Sequence, residues 1–236
     1  VEIDGITPGD GSGHHDQVAV TGSIDLKLTP NVVLVTNRLA EDQDTIDFLT
    51  TNFGANVTTG LFSSFSQAEQ DILEAADLVI GSRATNSGDY TNSEAETAFW
   101  ETLETPTILM SSFLARSSRW DWVDTGGLAS NLSAAGNETA VTTSGRSDPL
   151  FEGVATPADL YNSNYDAIVS AGVGDGKILA TGGSGGHIIA ARWNAGDALG
   201  ADGRVAGGDR IFIGSWTGHN VEILTPEGHL VLQRAV

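Results

Sequence analysis

Three short apolar runs, Val32–Thr36, Leu78–Ser82 and Thr107–Ser112, constrain this chain more than any other feature. Each is preceded or followed by an amphipathic helical stretch, and just beyond them lie polar turns carrying Arg38, Arg83 and Arg116. Continuous apolar runs separated by helices are the pattern of strands buried on both faces of a parallel sheet. In an open parallel sheet the carboxyl ends of the strands border the crevice where ligands bind. The arginines therefore fall where a site is expected.

The stretches between the runs carry their own start and stop signals. Asp42–Phe53 places Ile46, Leu49 and Phe53 on one face, with Gly54 as its stop. Ser66 with Glu69 forms a capping box ahead of Ile72 and Leu73. Ser93 with Glu96 repeats that box ahead of Phe99 and Leu103, and Pro106 closes the segment. Asn56–Gly60 reads as a short second strand. This alternation predicts an α/β fold with a doubly wound, mostly parallel sheet.

From Asp124 the texture changes. Leu128–Thr143 reads as irregular or edge structure. The runs Ala167–Ala171, Lys177–Thr181, His187–Trp193 and Arg210–Gly214 read as strands, with turns at Gly174–Gly176 and Gly182–Gly186. These are β-hairpins added to the C-terminal half. Thr225 caps a last helix with Pro226 at its first position. Residues 1–30 read as a linker or N-terminal arm with a strand, and 31–236 as the α/β domain.

Charge excludes some partners. The chain of 236 residues carries 31 acidic side chains against nine Arg and two Lys (Lys27, Lys177), a net charge of −20. Such a surface repels nucleic acid and anionic membranes, and no apolar run reaches the roughly 20 residues that span a bilayer. It suits high ionic strength, where salt screens self-repulsion, so a marine or halophilic origin is expected. The absence of Cys rules out disulfides, thiolate metal sites and a cysteine nucleophile. Richness in Gly, Thr, Ser and Asn with little Lys resembles bacterial secreted proteins, so a secreted or cell-surface location is expected. A first residue of Val1 and a last of Val236 suggest a processed protein or a piece of a longer one.

Two segments carry a family resemblance. Asp148-Pro149-Leu150-Phe151-Glu152-Gly153-Val154 resembles the HP-(I/L)-(F/L)-x-G-(V/L) segment of class I glutamine-amidotransferase-like and ThuA-like domains. Arg210–Gly214, followed by Leu224-Thr225-Pro226-Glu227-Gly228, resembles the late strand and LT-x-(E/D)-G helix of the same group. The resemblance spans roughly residues 31–236 and implies a flavodoxin-like three-layer sandwich. It does not bring the activity. The family's nucleophile is a Cys on a glycine-flanked turn, whereas the matching turn here is Met110-Ser111-Ser112-Phe113-Leu114. The family's late His-x-Glu pair is matched only by His219 and Glu222, one residue too far apart.

The remaining constellations each carry two readings. Ser111 or Ser112 would be a nucleophile if His219 or His187 served as base, with Glu222 behind it. Phe113 and Leu114 oppose the tight elbow that exposes such a serine, and both serines otherwise simply end a buried strand. Arg38, Arg83, Arg116 and Arg119 would bind a carboxylate, sulfate or phosphate, with Trp120 and Trp122 as a stacking face for a sugar ring. The alternative is internal pairing with acids such as Asp89, Asp121 or Asp124. Asp10 and Asp16 resemble a calcium loop in composition only, and His14-His15 lacks a third ligand. No cofactor is expected beyond that faint Ca2+ signal.

These readings predict a non-catalytic extracellular binding or assembly domain. Its expected partners are anionic polysaccharide or other domains of a larger secreted protein. The alternatives are a filament or surface-layer subunit that polymerises through its N-terminal arm, and a serine hydrolase acting on saccharide or ester.

Overall fold

The structure, a computed structural model, describes residues 29–90, 93–133, 139–169, 172–200, 203–215 and 220–236. The expected N-terminal arm, with Asp10, Asp16, His14 and His15, falls on residues outside these.

The first half alternates as the apolar runs require. Strand β1 (Asn31–Val35) leads to helix α1 (Gln43–Phe53), then β2 (Asn56–Gly60), α2 (Gln67–Glu74), β3 (Leu78–Gly81), α3 (Glu94–Thr102), β4 (Thr107–Leu109) and a one-turn helix α4 (Ser112–Ala115). Gly54 ends α1 in the left-handed region at φ 65°, where glycine carries no Cβ penalty. The hydroxyls of Ser66 and Ser93 accept from the backbone N–H of Glu69 and Glu96 at 3.3 Å, as the two capping boxes predict. Asp42 does occupy the cap position of α1, but its side chain makes no cap bond and is turned into the interior.

The second half contributes β5 (Leu128–Leu132), β6 (Ala140–Val141), the one-turn α5 (Thr143–Arg146), β7 (Tyr165–Ile168), β8 (Lys177–Gly182), β9 (His187–Trp193), β10 (Arg210–Ile213) and α6 (Pro226–Ala235). The stretch Leu128–Thr143 thus supplies an edge strand and a two-residue strand. The strand expected at 167–171 begins earlier, at Tyr165, and the end of that expected span, 170–171, falls outside the described residues. Thr225 caps α6 by accepting from Gly228 at 3.2 Å.

The sheet runs β2-β1-β3-β4-β10-β9-β7-β5, with β8 against β9 and β6 against β8. The first five strands are mutually parallel, and their order is that of a flavodoxin-like doubly wound sheet. From β9 onward the pairing is antiparallel, and β8 and β9 form the clearest of the added hairpins.

Alternation along the strands divides the core in two. Val32, Leu34, Ile80 and Ile108 pack with Phe48 and Leu49 of α1 and Val231 and Leu232 of α6. Val33, Val35, Val79 and Leu109 pack with Leu73 of α2, Trp100 of α3 and Leu103 just after it. Helices on both faces of one sheet make a three-layer sandwich.

The segment Asp148–Val154 has a structural explanation. Asp148 accepts from Leu150 N at 3.0 Å and starts a 3-10 turn over Pro149–Phe151. That turn buries Leu150 and Phe151 in the core beside α6. Asp148 also pairs with Arg192 at 3.3 Å.

Candidate functional site

The strands β1, β3 and β4 deliver their following turns to one edge of the sheet, and four arginines meet there. Arg38 follows β1, Arg83 follows β3, and Arg116 and Arg119 follow the short helix after β4. Together with Phe113 and the turn at 84–88 they line a crevice of about 420 Å³. Parallel strands in register make this convergence automatic, since their carboxyl ends lie side by side.

Each guanidinium is held differently. Arg83 donates from Nε to the wholly buried Asp166 of β7 at 2.5 Å, tying the parallel half of the sheet to the antiparallel half. Its Cζ lies 4.2 Å from the centre of the Phe113 ring, a cation–π contact that fixes the fork from its other side. Arg38 pairs at 3.2 Å with Glu41, one turn along and largely exposed, so this pair adds little stability. Arg119 donates from Nε to the Ser87 carbonyl at 2.5 Å and from Nη1 to the Ser118 carbonyl at 2.6 Å. Arg116 reaches the Ser87 hydroxyl with Nη2 at 3.4 Å and sits 5.8 Å from the Phe113 ring, while its buried Nε has no partner. Burial, and secondarily the neighbouring charge of Arg119, lower the pKa of Arg116.

The expected alternative of internal pairing is thus met for half of the set. Glu41 and Asp166 engage Arg38 and Arg83. Arg116 and Arg119 have no carboxylate within salt-bridge distance among the described residues. Asp89 accepts instead from Asn37 at 2.9 Å.

The two tryptophans read as a sugar platform are elsewhere. Trp120 and Trp122 are fully buried. Trp120 stacks on Trp100 with centroids 3.9 Å apart, and Trp122 meets Trp193 edge-on at 5.8 Å. The turn after Arg119 folds back on α4, with Trp120 N donating to Leu114 O at 2.9 Å and Trp122 N to Ala115 O at 3.0 Å. Asp121 between them takes φ 53°, which lets both rings turn inward. The aromatic surface in the crevice is Phe113, half-buried, which by pattern alone stands out only as an obstacle to a serine elbow.

The alternative serine site does not assemble among the described residues. Ser111 and Ser112 are fully buried, and neither hydroxyl has a hydrogen-bond partner. Ser111 has φ −105° and ψ 107°, ordinary extended backbone rather than a strained elbow. Glu222 is exposed, and His219 lies outside the described residues. No cluster of three or more metal-ligating side chains occurs among the described residues, and no described helix is long and apolar enough to cross a membrane.

Beside the crevice lies a buried polar cluster that the sequence did not reveal. Ser82 donates to Asp42 Oδ1 at 2.6 Å, Asn220 donates to the same oxygen and to Ser82 Oγ, and Asn220 Oδ1 accepts from Arg83 N at 3.1 Å. Asp42 Oδ2 is buried without a partner, and burial raises the Asp42 pKa against the lowering effect of the Ser82 and Thr36 hydroxyls. The cluster fixes the backbone from which Arg83 projects. Its signal in the sequence is faint, because Asp42 and Asn220 stand 178 residues apart.

No family model matches the chain, and no curated protein matches it. Among solved structures, it is similar to a ThuA-like protein from Bacteroides uniformis at 11% identity and a TM-score of 0.46, covering 92% of this chain and 94% of that one. The flavodoxin-like assignment rests on the strand order and the two packed faces of the sheet described above.

Proposed function

We propose that this chain is a non-catalytic binding domain whose arginine crevice takes the anionic group of a ligand. One observation carries the reading: Arg116 and Arg119 share Ser87, open on a crevice of about 420 Å³, and have no carboxylate partner among the described residues. In a chain of net charge −20 an unpaired cationic pair is conspicuous. Guanidinium forks bind carboxylate, sulfate and phosphate through paired N–H donors. Phe113 supplies the apolar flank, so an anionic saccharide would lie against that ring rather than against a tryptophan.

Buried Ser111 and Ser112, and the lack of any cysteine, support the non-catalytic part of the reading. Membership of the amidotransferase-like superfamily, without its nucleophile, belongs to the same proposal and is supported by the Asp148–Val154 and Leu224–Gly228 segments. A location outside the cell, in a larger secreted protein, is supported by the acidic, lysine-poor composition.

Retention on immobilised sulfated and uronate polysaccharides at low salt tests it. The parent chain is expected to be retained, and Arg116→Ala with Arg119→Ala to elute in the void with its circular dichroism unchanged. Equal elution of the two proteins would remove the crevice as the site. Turnover of a nitrophenyl ester or glycoside by the parent, lost in a folded Ser111→Ala or Ser112→Ala chain, would overturn the non-catalytic reading.

A further inference from the structure

The crevice specifies more than a sign of charge. Arg116 and Arg119 approach the same residue from two sides, one on the Ser87 hydroxyl and the other on its carbonyl. Neither is neutralised by a carboxylate among the described residues. A single negative charge placed between them would balance one guanidinium and leave the other facing a like charge. A group carrying two charges on several oxygens would balance both and offer each fork its own acceptors.

We propose that the crevice selects a phosphate monoester in its dianionic form over carboxylates and sulfate esters. This rests on the anion-site reading above and refines it by naming the group bound. The geometry supplies the donors. Arg119 uses Nε and Nη1 on backbone carbonyls, which leaves Nη2 for a ligand. Arg116 is bonded only weakly through Nη2, which leaves Nη1 for a ligand, while its Nε is buried. Arg83 is committed to Asp166 through Nε alone, and its Nη groups carry no bond to a described residue. Arg83 and Arg119, held in place before the ligand arrives, lose little side-chain freedom on binding it.

The body of the ligand is also bounded. Phe113 lies under Arg83 at one side of the crevice, so the portion beyond the phosphate meets an apolar ring and a planar cation. The size suits a sugar-sized body. The charged groups bordering the site are Arg38, paired with Glu41 at the rim, and Arg83, paired with Asp166 beneath.

Three ligands with one sugar body and different charge separate the possibilities: glucose 6-phosphate, glucose 6-sulfate and glucuronate. Their binding is measured by calorimetry at low ionic strength. Near neutral pH the phosphate is expected to bind at least about tenfold more tightly than the other two. The dianion of a phosphate monoester takes up a proton with a pKa of about 6 and becomes a monoanion, so that advantage should vanish as pH falls to about 5 while the other two ligands change little. Arg116→Gln or Arg119→Gln should each reduce the phosphate to the level of the monoanions. Equal affinity for all three would overturn the dianion selectivity and leave the anion site standing. Binding of none would overturn both. Binding of the phosphate that stays constant from pH 7 to 5 would also refute the inference, because charge count would then not decide recognition.

Discussion

Arg116 and Arg119 are only three residues apart, yet each is positioned by Ser87 from a different strand connection. That serine is therefore a positioning residue for the crevice. Ser87→Ala removes the hydroxyl that Arg116 contacts and keeps the carbonyl that holds Arg119. It should weaken phosphate binding by less than tenfold, whereas Arg116→Ala should weaken it by about tenfold or more; titration calorimetry compares the two. At Asp42 the sign of a pH effect can be worked out. Burial raises its pKa above the unfolded value, with Asp44 and Glu41 adding to the rise. The stabilising contribution of the protonated acid is full below the ordinary carboxylate pKa and is lost as pH climbs through the raised folded value. Asp42→Asn removes that loss and keeps an oxygen for Ser82 and Asn220. Its unfolding free energy relative to the parent should therefore grow as pH rises from about 4 to about 7; a pH-independent difference would contradict this.

At the scale of elements, Arg210 shows how a helix end is managed inside the core. It is fully buried, and its guanidinium donates to the carbonyls of Thr105 at 3.1 Å, Glu101 at 3.1 Å and Leu103, where α3 ends. Burial lowers its pKa to about 10, so it remains charged at neutral pH and complements the negative end of the helix. Arg210→Met leaves several buried carbonyls unpaired and should cost about 3 kcal/mol or more, seen as a lower denaturation midpoint. Arg210→Lys should recover little, because an ammonium lacks the planar fork. Sequence pattern reached the elements more readily than such contacts. Val32–Val35 and Leu78–Gly81 are legible as buried strands because both faces are covered, and Ser66 and Ser93 are legible as caps because the bond is local. Trp120 and Trp122 were not legible, since their inward turn depends on the left-handed Asp121 and on room made by distant residues. Gly81 is one such residue: a Cβ there would meet the Leu109 side chain at 2.6 Å and the Trp120 ring at 3.3 Å. The arginine convergence was legible because it follows from strand order, but Asp166 and Glu41 as partners were not.

For the whole molecule, the strongly acidic surface implied by a net charge of −20 contrasts with a small cationic crevice. Self-repulsion of that surface opposes the compact state and is screened by salt. The melting temperature should therefore rise as NaCl is raised from about 0.05 M toward 1 M, where the Debye length falls to about 3 Å. Anion binding should weaken over the same range. A stability that falls with salt would mean that the pairs Arg83–Asp166 and Arg204–Glu101 outweigh the surface term. The partial burial of those pairs argues against that outcome. The opposed salt dependences of folding and binding also separate specific recognition from general stabilisation by ions.

The most direct measurement is a calorimetric titration of a uronate and a phosphorylated sugar into the parent chain and into Arg116→Ala/Arg119→Ala, at low salt and neutral pH. Saturable one-to-one binding of at least one ligand in the parent, with no heat above dilution in the folded double variant, is the predicted result. Equal binding isotherms for the two proteins, or no binding to the parent, would contradict the assignment of the arginine crevice as the site.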